Sequence, residues 1–166
     1  KRLCSRVYWK LRSRVNRSPL AQRVAKALTG RQEAVIQDVE IPLEHAAEFA
    51  RFLSREIGIT PVWICPVMAF DPSASYPLYP MTPGTLYVNF GFWDAVSTDH
   101  EDGYFDKKVE AKVRELHGKK SLYSNAYYSR EEFWQLYNEP AYRALKARYD
   151  PTAKLKDLYE KCVLKQ

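Results

Sequence analysis

The chain of 166 residues has the length of one globular domain, and 46% hydrophobic residues give it enough apolar surface for a core, which excludes disorder as the default. Its net charge of +6 is gathered at one end, because all the basic residues from Lys1 to Arg31 precede Glu33, the first acidic residue, and the remainder is mildly acidic. Cys4, Cys65 and Cys162 are odd in number and form no C-x-x-C pair, which excludes a disulfide framework and a cysteine zinc site and fits a reducing compartment.

No apolar run is long enough to span a bilayer, and the opening Lys1-Arg2-Leu3-Cys4 lacks the apolar stretch of a signal peptide. His45, His100 and His117 have no metal-ligand spacing, so no metal site is expected. These features predict a cytoplasmic location, and the absence of an initial Met reads as a fragment or a processed product. The basic segment suits phosphate, anionic lipid or an acidic partner surface, or is a solvated helix face.

In chain order, Leu3, Val7, Leu11 and Val15 recur at helical spacing, and a second short helix follows Ser18 and Pro19 and ends at Gly30, giving a basic helical arm over residues 1–32. Glu33 to Ile41 reads as a strand. Leu43 to Ile57 reads as a helix with Ala46, Phe49, Ala50, Leu53 and Ile57 on one face, stopped by Gly58. Val62 to Phe70 is the next expected strand. The stretch from Asp71 to Gly84 holds Pro72, Pro77, Pro80 and Pro83, each lacking a backbone donor, and reads as a lid or a spacer.

Thr85 to Trp93 alternates as a strand, and Tyr104 to Leu116 is a helix carrying Phe105, Val109, Val113 and Leu116, ended by Gly118. Ser121 to Tyr128 reads as a fourth strand. Ser129 and Glu132 form a capping box for a helix through Tyr137, and Pro140 restarts helix toward Tyr149. The order predicts an α+β fold, a ferredoxin-like βαββαβ antiparallel sheet over residues 33–166 with both helices on one face and further helices at the C-terminal end.

Period-two reading of the strands leaves one sheet face unexplained. It carries Tyr87, Asn89 and Trp93 opposite Leu86, Val88, Phe90 and Phe92; Tyr123, Asn125 and Tyr127 opposite Leu122 and Ala126; and Trp63 and Cys65 opposite Val62 and Ile64. Such a surface fits a roof over a flat cofactor and an apolar substrate, a single-stranded RNA-binding sheet, or a domain or dimer interface enriched in rings. Against RNA, the strand Leu86 to Trp93 lacks the basic and glycine-aromatic pattern of the ribonucleoprotein motif. Composition and periodicity leave the three readings open.

The strings Val35-Ile36-Gln37-Asp38-Val39, Pro61-Val62-Trp63-Ile64-Cys65-Pro66, Thr85-Leu86-Tyr87-Val88-Asn89-Phe90-Gly91 and Leu122-Tyr123-Ser124-Asn125-Ala126-Tyr127-Tyr128-Ser129-Arg130-Glu131-Glu132-Phe133-Trp134 resemble the carboxy-terminal region of delta-24-sterol reductase-like flavoproteins of the vanillyl-alcohol-oxidase type. The ending Asp157-Leu158-Tyr159-Glu160-Lys161-Cys162 is similar to that family's end as well.

The resemblance implies a substrate-side cap domain of an FAD-linked oxidoreductase, one that reduces a carbon-carbon double bond of a sterol-like substrate through the flavin, with NADPH as a candidate reductant. It implies that most of the FAD is held by an absent FAD-binding domain, the expected partner, so that the isolated fragment is inactive; no nucleic acid is expected. It implies Tyr123, Asn125 and Tyr127 as cofactor contacts, with Tyr123 as the catalytic proton donor, and Trp63, Cys65, Tyr87, Asn89 and Trp93 as the substrate lining. The basic arm is expected to dock on the flavin domain, with peripheral attachment to an anionic membrane as the alternative.

Overall fold

The computed structural model describes residues 30–166, together with Lys10, Ser13, Ser18 to Leu20, Arg23 and Val24. The expected pair of arm helices, with its Leu3, Val7, Leu11 and Val15 stripe, lies for the most part outside these residues; of those described, Lys10, Ser13, Pro19, Leu20, Arg23 and Val24 are helical.

The fold is α+β, built on a four-stranded antiparallel sheet. Strand β1 (Gln32–Pro42) leads into helix α1 (Leu43–Phe52), which continues as a wider π-type turn over Leu53–Ile57. Then come β2 (Trp63–Val67), β3 (Tyr87–Ser97), α2 (Tyr104–Glu115) and β4 (Lys119–Lys120), followed by α3 (Arg130–Leu136), α4 (Glu139–Tyr149) and α5 (Leu158–Cys162). The strand order is β2-β3-β1-β4, so each pair of strands joined through a helix is separated by one strand that runs against both.

The inward face of β1 is set by alternation, with Val35, Gln37, Val39 and Ile41 all fully buried. Against them pack Phe90 and Phe92 of β3, Phe49, Leu53 and Ile57 of the first helix, and Val109, Val113 and Leu116 of the second. Each such side chain contributes about 1.5–3 kcal/mol when fully buried. Gly118 lets the chain turn from α2 into β4: a Cβ there would stand 2.8 Å from the Glu40 carbonyl oxygen and 2.7 Å from Ile41 Cδ1.

Two expected strands are corrected. The segment from Val62 to Phe70 pairs only over Trp63–Val67, leaving Met68 and Phe70 exposed. The strand expected over Ser121 to Tyr128 does not form; the ladder is confined to Lys119–Lys120, with one more bond from the Ser121 N–H to the Asp38 carbonyl at 2.9 Å.

Beyond that point side chains replace the ladder. The Lys120 ammonium donates to the Asn125 carbonyl at 2.7 Å, the Tyr127 N–H donates to Glu110 at 3.1 Å, and Ser124 Oγ donates to the Gln37 side chain at 3.3 Å. The alternation of burial survives without the strand. Ala126 and Tyr128 point into a second core with Phe133, Trp134, Tyr137 and Tyr159, built by α3 to α5. The capping box at Ser129 and Glu132 forms as expected, and a matching box at Asp157 and Glu160 starts α5.

Candidate functional site

Both α1 and α2 cover the same side of the sheet, and register alone builds the other side. On β1 and β3, Ile36 stands opposite Trp93, Asp38 opposite Gly91 and Glu40 opposite Asn89. On β2, Trp63 stands opposite Gly91 and Cys65 opposite Asn89. The result is three cross-strand rows: Ile36 with Trp93, then Asp38, Gly91 and Trp63, then Glu40, Asn89 and Cys65.

Trp63 and Trp93 are 60% and 59% exposed, so two large rings are left in water by this chain's own packing. Between them Gly91 keeps the surface low. A Cβ at that position would meet Asp38 Oδ1 at 2.8 Å and Trp63 Cβ at 3.3 Å.

The polar half of the face is tied together. The Asn89 amide nitrogen donates to Asp38 Oδ1 at 3.1 Å and to Glu40 Oε1 at 2.8 Å, and the Tyr79 hydroxyl donates to Glu40 Oε2. Burial pushes the Glu40 carboxyl up from its ordinary value against the pull of these hydrogen bonds, and the Asp38 charge adds to the rise. Among the described residues no Lys, Arg or His forms a salt bridge with either carboxylate.

Tyr123 stands beside Asp38 with its ring 61% exposed, and burial, followed by the Asp38 charge, holds its phenol above the ordinary value. From there an open groove of about 730 Å³ runs along Ile36 and Tyr123 to Asn125, Lys161 and Lys165.

The sequence-expected residues divide in space. Trp63, Cys65, Asn89, Trp93 and Tyr123 come together on the uncovered face. Tyr87 belongs to it by register but is buried under the proline-rich loop, where its hydroxyl accepts from the Thr82 N–H at 3.1 Å. That loop therefore covers one end of the face, and Tyr79 anchors it to Glu40.

The strand parity that grouped Asn125 and Tyr127 with Tyr123 does not apply, because no strand forms there. Without the strand, Asn125 lies beside Asp106 of α2 at the rim of the groove, and Tyr127 leans on Gly103 and within reach of Lys107 and Lys165. Asp38, Glu40 and Tyr79 escaped the sequence reading. The alternation of β1 placed both acids outward, but only the β1–β3 register shows that they meet Asn89.

The chain has six glycines in all, and they are scattered rather than gathered in a phosphate-cradling loop. Among the described residues no group of His, Cys, Asp and Glu could hold a metal ion, and no helix is long and apolar enough to cross a membrane.

No family model and no solved structure matches the chain. Similar curated proteins include the delta(24)-sterol reductases of Rattus norvegicus and Homo sapiens, each 26% identical over 132 residues, which is 78% of this chain and 25% of the relative. The delta(24)-sterol reductase of Arabidopsis thaliana is 23% identical over 145 residues, 76% of this chain and 26% of its own length. The chain thus spans about a quarter of the length of the curated relatives it matches, and those relatives are by name oxidoreductases. An α+β domain with an uncovered aromatic sheet face, this chain is similar to the delta(24)-sterol reductases over 78% of its own length.

Proposed function

We propose that this chain is the substrate-side domain of an FAD-dependent oxidoreductase that reduces a carbon-carbon double bond of a sterol-like substrate, with the FAD held mainly by a separate domain of the parent protein. The observation that carries this reading is the face of Trp63, Trp93, Ile36 and Tyr123, left uncovered by a chain that is similar to one quarter of a reductase. A carboxylate pair on the same face opposes a phosphate backbone, and an RNA-binding role finds no support.

When bound, the flavin supplies the hydride, with NADPH proposed as its reductant. The tryptophans and Ile36 give dispersion contacts to an apolar substrate and exclude water from it. Tyr123 is proposed to give the second hydrogen. Its O–H bond breaks as a C–H bond forms at the substrate carbon, using the electron pair of the double bond, and the phenol is then reprotonated. Asn125, at the rim of the groove, is proposed as a further cofactor contact, and Tyr127 as its support against α2. Cys65 and Asn89 would line the substrate side.

The test is to purify the chain together with the parent's FAD-binding domain. A yellow complex that reduces a sterol side-chain double bond, with kcat lowered about 10²–10⁴-fold in Tyr123→Phe, is expected. A complex without flavin, or tight binding of single-stranded RNA by the chain, overturns the reading.

A further inference from the structure

Asn89 has two amide hydrogens, and the geometry uses both: one for Asp38 and one for Glu40, at 3.1 and 2.8 Å. Two carboxylates held by one donor group, with no salt bridge to either among the described residues, repel each other, and a proton taken up by the pair relieves that repulsion. The pair is not isolated. Asp38 leans over Gly91 into the middle of the face and stands beside the Tyr123 hydroxyl, while Glu40 is closed off from behind by the Tyr79 hydroxyl.

We propose that Asp38 and Glu40, bridged by Asn89, are the proton reservoir that reloads Tyr123, with Asp38 as the residue that passes the proton on. This rests on the reading of Tyr123 as the donor of the second hydrogen. As the Tyr123 O–H bond breaks toward substrate carbon, the proton on Asp38 moves to the phenol oxygen: one carboxyl O–H breaks and one phenol O–H forms, and no phenolate is left beside a carboxylate. Solvent then returns a proton to the pair, so each turnover consumes one hydride from the reduced flavin and one proton from water.

The charged and titratable groups facing the row are Asp38 and Glu40 on β1, Cys65 on β2, Lys119 on β4, Tyr79 from the loop and Tyr123 after β4, with Lys161, Cys162 and Lys165 on the groove that Tyr123 lines. Burial raises the Glu40 carboxyl, in the direction the reservoir requires. Gly91 has a part in this as well, since any side chain there would displace the Asp38 carboxylate.

Two measurements decide it. In the complete chain, infrared difference spectra should show a protonated carboxyl persisting above the ordinary carboxylate range, lost in Glu40→Gln. In the flavin complex, Asp38→Asn should lower kcat at least tenfold with KM unchanged, Asp38→Glu should recover part of it, and the fall of kcat with rising pH should begin at lower pH in Glu40→Gln. A carboxyl signal that Glu40→Gln leaves unchanged, or full kcat in Asp38→Asn while Tyr123→Phe is impaired, overturns the proposal. A wild-type complex that holds no flavin sinks the oxidoreductase reading instead, and the infrared result then judges the carboxylate pair by itself.

Discussion

The carboxylate of Asp38 lies in the space that a side chain on Gly91 would fill, with Oδ1 2.8 Å from the place of a Cβ. Neither residue is unusual in its own strand. Their relation arises because the β1–β3 ladder sets them directly opposite each other.

Gly91→Ala is expected to destabilise the domain by about 1–3 kcal/mol, the range for an overpacked site, because the neighbours are a tethered carboxylate and the backbone-near Cβ of Trp63. Thermal melts of Gly91→Ala, Asp38→Ala and the double variant form a cycle. The double variant should lose less than the sum of the singles.

Replacing Trp63 or Trp93 by Ser should change the stability of this chain by no more than about 0.5 kcal/mol each, since most of each ring is already in water. The same changes should weaken the complex with the FAD-binding domain. Urea titration of the chain and calorimetry of the complex read the two effects separately.

A buried ion pair stitches the irregular segment after β4 to α2. Lys120 Nζ lies 3.3 Å from Glu110 Oε1, with both side chains almost completely enclosed. Burial raises the Glu110 carboxyl from 4.5 to about 7 and lowers the Lys120 ammonium. A carboxyl raised on folding binds its proton more tightly in the native state, so the Glu110 contribution to stability is present at low pH and is lost as pH rises from about 4.5 through about 7.

Lys120→Met removes the partner and should cost about 3–5 kcal/mol where Glu110 is ionised. The loss should be smaller at acidic pH, where a protonated Glu110 needs no counter-charge, and should extend to higher pH than in the wild type. Urea denaturation at mildly acidic and mildly alkaline pH checks the sign.

The Ser129 side chain accepts from the Glu132 N–H at 3.2 Å, and Glu132 returns the bond to the Ser129 N–H at 3.1 Å. Ser129→Ala should cost about 1 kcal/mol by circular-dichroism melting. The packing of Phe133 and Trp134 into the second core sets how much of α3 survives the loss.

Local rules made much of this domain legible in the amino-acid sequence. The run from Glu33 to Ile41 read as the first strand, spacing put Phe49 and Leu53 on the buried stripe of the first helix, the Ser129 and Glu132 pair announced the start of α3, and the glycine after α2 announced its end. Each of these depends on residues within a few positions of one another, which is the range over which side-chain direction and capping act.

What lay beyond that range was decided by the tertiary structure. The segment from Ser121 to Tyr128 has the alternation of a strand, yet its backbone partners are the side chains of Lys120 and Glu110, brought in by β4 and α2, so Asn125 and Tyr127 lie beside that helix while Asn125 still shares the groove with Tyr123. Likewise Asn89 is 51 and 49 positions along the chain from Asp38 and Glu40, and a slip of one residue between β1 and β3 would have separated it from them. Periodicity tells which side of a strand a residue occupies; register, held by burial across the whole sheet, tells which residues it meets there.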